Sequence, residues 1–141
     1  MQIKKIILFF VILILSLGLT ACKKEIKSLI LFNHYPITSK NVLDNSTLFK
    51  TDERIYFVYM TKKNLQTPDI RIKIYKLTEH NDFNSYGDMI YSNDFRLKKG
   101  EINYFTDYIV MHSAGSYRMH VYKKDYLWKP DAIADFKVVG R

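Results

Sequence analysis

One cysteine, Cys22, stands in a chain of 141 residues, so no intramolecular disulfide can brace the fold and stability has to come from packing. The five glycines form no Gly-rich phosphate loop, which removes the backbone cradle that many nucleotide enzymes use. No stretch reaches the roughly 20 apolar residues that a membrane-spanning helix needs. There is no internal repeat or low-complexity tract, and no segment carries a convincing helical apolar period. Acidic side chains are the scarcer sign: 14 Asp and Glu against 22 Lys and Arg give a formal net charge of +8. What is plentiful is aromatic, with 11 Tyr and 9 Phe beside one Trp, enough to build a core without bridges.

The leading segment accounts for the lone thiol. Lys4 and Lys5 form a positive start, Ile6 to Leu15 is continuously apolar, and Ser16, Gly18, Thr20 and Ala21 thin the run into small residues before Cys22. That order is the pattern of a secretory signal peptide. Its end, Leu19-Thr20-Ala21-Cys22, resembles the lipobox of bacterial lipoproteins. The resemblance implies a diacylglyceryl group on the Cys22 sulfur, cleavage before Cys22, and acylation of the new amino terminus by a palmitate-type chain. One acyl chain binds a membrane only marginally, whereas two or three make a lasting anchor. The expected organisation is a signal peptide over 1–21, a lipidated start and basic tether over 22–28, and one folded domain over 29–141. Removal of 1–21 takes two lysines and no acid, leaving 120 residues with a net charge of +6. The expected location is the cell envelope, at the outer membrane in a cell with two.

Beyond the tether the dominant period is two, and β-branched and aromatic residues gather in short runs between turn formers. Strands are expected over 28–32, 54–60, 70–77, 89–97, 102–112, 117–122 and 132–139. In the third run Ile70, Ile72 and Ile74 share one face, with Arg71, Lys73 and Tyr75 on the other. Tyr117, Met119 and Val121, and then Ala134, Phe136 and Val138, are expected inward. Seven strands without a helix make an antiparallel sandwich the natural architecture.

The stretch SAGSYRMHVY, residues 113–122, resembles the penultimate strand of immunoglobulin-like domains. There a small residue stands two before a tyrosine and an inward residue two after it, places filled here by Gly115, Tyr117 and Met119. The resemblance implies a tyrosine corner, in which the Tyr117 hydroxyl bonds backbone upstream while its ring packs inside. Met119 stands where antibody domains have cysteine, Ser113 where an acid is common, and the third strand has no Trp. The all-β expectation is therefore an immunoglobulin-like β-sandwich, a fold that is silent on function.

Few groups offer catalysis. Asp107, His112 and Ser113 suggest a triad in sequence, but Asp107 and His112 have opposite parity on one strand and point to opposite faces. No paired-carboxylate site is visible, and the protein is expected not to be an enzyme and to carry no cofactor. A binding surface has more support. In an immunoglobulin-like sandwich the third, sixth and seventh expected strands are neighbours, so Arg71, Lys73 and Tyr75 with Arg118, His120, Tyr122 and Lys137 would share a basic, aromatic face. Such a face suits an envelope protein, anionic lipid headgroups or acidic glycans; nucleic acid is excluded by export. The loop KKDYLWKPD offers Tyr126 and Trp128 as a second anchor, or else folds Leu127 and Trp128 back as a cap on the core. The alternative function is a small-ligand or metal-binding accessory domain using His112 and His120, which flank the 113–116 turn. Asn45-Ser46-Thr47 matches a glycosylation sequon, of little weight beside a bacterial lipobox.

Overall fold

The computed structural model describes residues 28–62, 67–78, 87–98 and 102–141. The signal segment, Cys22, the tether up to Lys27, nearly all of the expected 79–88 loop and part of the turn at Lys98-Lys99-Gly100 lie outside the described residues. Eight strands are present: β1 (Leu29–Asn33), β2 (Leu48–Lys50), β3 (Arg54–Thr61), β4 (Asp69–Leu77), β5 (Asp88–Arg96), β6 (Asn103–Val110), β7 (Gly115–Lys123) and β8 (Ala132–Val139). Among the described residues there is no helix. The strands form two sheets, ordered β1-β3-β6 and β2-β8-β7-β4-β5. This is an immunoglobulin-like β-sandwich, with sequential strands divided between sheets and β4, β7 and β8 side by side.

Alternation explains most of these elements. In β4, Ile70, Ile72 and Ile74 are fully buried between the sheets, and each intervening residue takes the outer face. Opposite them across the core are Ile55, Phe57 and Tyr59 of β3 with Ile30 and Phe32 of β1. Strand β3 departs from strict alternation because Val58, on its outer side, is also buried, roofed by the 34–47 connection that brings Ile37 and Val42 over it. A strand covered on both faces reads as a continuous apolar run, as IYFVYM does.

One strand was not expected. The connection from β1 to β3 contains β2, which pairs in parallel with β8 through Leu48 opposite Lys137 and Phe49 opposite Val138. Only Phe49 of its three residues is buried, so no period announces it in the sequence. The sandwich thus has one parallel pair on an otherwise antiparallel framework. Asn45 secures the approach: its side-chain oxygen accepts the Phe32 N–H at 3.0 Å, and Ser46 N–H donates to the Phe32 carbonyl.

The tyrosine corner is present. The Tyr117 hydroxyl donates to the Ser113 carbonyl at 2.7 Å, and its ring, 1% exposed, stacks on Phe136 at 5.4 Å. Gly115 is required just before it: its φ of 156° disfavours any side chain, and a Cβ would stand 3.0 Å from the Lys76 Cε. The hydrogen bond ties the β6–β7 corner to a ring that cannot move without opening the core. Tyr117→Phe keeps the ring and loses the bond, so it is expected to lower unfolding stability by about 1 kcal/mol, measured by urea denaturation with an unchanged denaturant slope. An unchanged midpoint would show that the corner bond contributes nothing.

Candidate functional site

The outer face of the five-stranded sheet gathers the expected binding residues by register. Arg71 lies opposite Tyr122, Lys73 opposite His120 and Tyr75 opposite Arg118. On the next strand His120 faces Ile133, Arg118 faces Asp135, and Ser116 faces Lys137. All seven expected residues, Arg71, Lys73, Tyr75, Arg118, His120, Tyr122 and Lys137, therefore share this face.

Its chemistry differs from the free basic surface that the sequence suggested. Arg71 donates through Nε to Asp94 Oδ1 at 2.6 Å and through Nη2 to Oδ2 at 3.0 Å, and Lys124 approaches the same carboxylate at 3.0 Å. Arg118 makes the same two-point bond to Asp135 at 2.7 and 2.8 Å. The Arg71 guanidinium and the Lys124 ammonium hold the Asp94 carboxyl well below the usual carboxylate range. Exposed pairs of this kind add little to stability, but paired forks fix the arginines in one geometry. The missed acids, Asp94 and Asp135, come from strands β5 and β8; cross-strand register supplies them, and no local motif marks them.

The aromatic members are also not laid out in solvent. His120 is 1%, Tyr122 5% and Tyr75 8% exposed. Side chains directly opposite on adjacent strands have Cβ atoms about 5 Å apart, and large ones lean over each other. The His120 ring stands 4.9 Å from Tyr75 and 5.8 Å from Tyr122, its Nδ1 is 3.0 Å from the Tyr122 hydroxyl, and Lys73 Nζ lies 5.0 Å above the Tyr122 ring. His120, expected on an open basic, aromatic face, is instead sealed within an aromatic cluster on the outside of the sheet. Burial first, then the Arg118 and Lys73 charges, push its pKa down from 6.5 to about 4, with Asp135 opposing.

His112 is elsewhere. It follows β6 in the other sheet, strongly exposed, with Nδ1 2.7 Å from Asp52 Oδ1. Strands β6 and β7 lie in different sheets, so His112 and His120, although they flank the 113–116 turn, are not brought together as a ligand pair. Among the described residues no group of three His, Cys, Asp or Glu side chains is placed to hold a metal. The triad suggested by sequence is likewise not assembled. His112 takes Asp52 rather than Asp107, Asp107 accepts its neighbour's Tyr108 N–H, and Ser113 Oγ is bonded to the Tyr117 hydroxyl and to Lys76 Nζ.

The β7–β8 loop is a second feature. Trp128 is 80% exposed and packs on Tyr126 at 4.8 Å between ring centres, with Leu127 also exposed. These residues do not cap the core.

No protein-family model matches the sequence, and no curated protein matches it. Among solved structures the chain is similar to the CARDB domain of a Pyrococcus furiosus protein in complex with di-metal ions, at 12% identity and a TM-score of 0.47, covering 83% of this chain and 94% of that one. It is also similar to part of a beta-glucosidase from Kluyveromyces marxianus in complex with glucose, at 11% identity and a TM-score of 0.43. That match covers 81% of this chain but only 14% of the enzyme. Likeness at this level transfers neither metal nor glucose to this chain.

The buried imidazole makes stability sensitive to acid. The folded pKa of His120 lies below its ordinary value, so its contribution is complete above pH 6.5 and is lost as pH falls toward 4, where the unfolded chain takes the proton first. Replacing His120 by Phe is expected to flatten the fall in urea midpoint between pH 6.5 and 4.5 relative to the parent. Parallel curves for the two proteins would place the acid sensitivity in the carboxylates instead.

Proposed function

We propose that the chain is a lipid-anchored cell-envelope protein with a non-enzymatic binding or assembly role, tethered through Cys22 and engaging its partner with the outer face of the five-stranded sheet. The observation that carries the partner surface is the cross-strand ladder on that face. Arg71 with Asp94 and Arg118 with Asp135 are fixed in two-point pairs around an interlocked Tyr75, His120 and Tyr122 cluster. A surface whose side chains are already ordered loses little conformational entropy on binding. Because both arginines are neutralised within the face, it suits a protein of mixed charge better than a uniformly anionic headgroup or glycan. Lys73, above the Tyr122 ring, and exposed Lys137 are cations of this face, among the described residues, that can meet a partner's acid groups.

The test is photo-crosslinking in intact cells from side chains placed at Lys73, at Lys137 and, as a control on another surface, at Lys40. One discrete envelope protein should be captured from the first two positions and not from the third. With the crosslinker at Lys73, the variant Lys137→Glu should reduce that capture several-fold through opposed charge, and with the crosslinker at Lys137 the variant Lys73→Glu should do the same, while Arg71 and Arg118 stay in place so that Asp94 and Asp135 keep their partners. The same products from all three positions, or capture unchanged in both charge-reversed variants, would contradict the assignment of this face.

A further inference from the structure

The described residues begin at the same end of the sandwich as the Trp128 loop. Leu29 opens β1 opposite Met60, near the last residue of β3, and β6 starts beside them with Asn103 opposite Thr61. In the other sheet Ile70, near the start of β4, lies opposite Lys123, after which the chain runs out into the 124–131 loop. Tyr59 joins the two places directly. Its buried hydroxyl donates to Asp131 Oδ2 at 2.6 Å and interacts with the Ser28 and Thr61 hydroxyls, of which Ser28 donates to Thr61 at 2.8 Å. The point at which the chain leaves the domain toward Cys22 is therefore pinned against the foot of the aromatic loop.

That loop is held open. Tyr126 N–H donates to the Lys123 carbonyl at 2.9 Å, Lys124 N–H to the Asp69 carbonyl at 3.0 Å, and Asp131 N–H to the Val121 carbonyl at 2.7 Å. Between these fixed points Tyr126, Leu127 and Trp128 stand in solvent. The rim of the same end adds Leu29, Ile102 and Tyr104, each more than a third exposed, with exposed Lys62, Lys98 and Lys129 among them. Tryptophan and tyrosine favour the boundary between headgroups and acyl chains, and lysines near that boundary are attracted to anionic lipid.

We propose that this end of the sandwich docks on an anionic phospholipid bilayer, with Trp128 and Tyr126 in the headgroup layer. The proposal rests on the anchor at Cys22 for its location. From Cys22 to Ser28 the chain spans at most about 20 Å when fully extended, so a lipid on Cys22 keeps this end within reach of the headgroups. Docking would set the strands across the membrane plane and turn the outer sheet face sideways, toward neighbours in the same membrane.

Trp128 is the single tryptophan of the chain and reports on itself. The full mature protein, purified from cell membranes, is reconstituted into phosphatidylcholine vesicles containing phosphatidylglycerol, with and without brominated acyl chains. The expected result is a blue-shifted emission quenched at least twofold by the brominated lipid, and weaker quenching when phosphatidylglycerol is omitted. Emission at the wavelength of a water-exposed indole, unquenched in vesicles that carry the protein, overturns the proposal while leaving the anchor intact. Equal quenching in neutral vesicles overturns the anionic preference, and a shift that requires added envelope protein assigns the loop to a protein partner instead. The Cys22→Ser protein, mixed with an excess of the same vesicles, separates the two claims. Quenching there supports the loop contact without any anchor, and no quenching in either preparation overturns it.

Discussion

The ring of Phe136 touches both sheets at once. It stacks on Tyr117 within its own sheet, meets Phe32 of the opposite sheet at 4.9 Å, and takes the edge of Phe49 from the short parallel strand at 6.4 Å. In a domain with no cysteine to bridge its layers, this contact does the work of an inter-sheet staple, through burial of large rings rather than a covalent bond. The tyrosine corner, the docking of β2 and the end of β1 all converge on it. Once those are fixed, the registers of β7 and β8 follow, and with them the order of side chains on the outer face.

That ordering explains both what was legible in the sequence and what was not. The alternation of Ile70, Ile72 and Ile74 marked β4 and its inward face directly, and Gly115, Tyr117 and Met119 marked β7 and its corner. These are signals carried within a few residues by the pleat. Strand β2 carried none, because three residues with one buried Phe49 make no period, and its existence depends on a parallel partner nearly ninety residues away. The gathering of Arg71, Lys73, Tyr75, Arg118, His120, Tyr122 and Lys137 on one face followed from strand parity and fold. The state of those residues did not. Pairing of the arginines depends on Asp94 and Asp135 across the register, and the burial of His120 depends on two tyrosines leaning over it from either side. Proximity in sequence misled in the other direction for His112 and His120, which flank one turn yet belong to different sheets.

The two surfaces divide along the long axis of the sandwich. At one end the Tyr59 hydroxyl, raised in pKa by its burial and by Asp131, ties Ser28 to the aromatic loop. Along the side, the ion-paired ladder is rigid and nearly neutral within itself. A lipid on Cys22 would give these features a common frame: an end turned to the membrane and a flank turned to whatever shares it. The +8 charge of the whole chain is thus less informative than its distribution, since many cations on the flank are already matched by acids.

The anchor is the claim on which the arrangement of both surfaces turns, and intact mass spectrometry of the protein extracted from cell membranes tests it most directly. The expected mass is that of a chain beginning at Cys22, greater than bare residues 22–141 by a diacylglyceryl group and a further acyl chain. A mass equal to the bare mature chain, or one that retains residues 1–21, would contradict it.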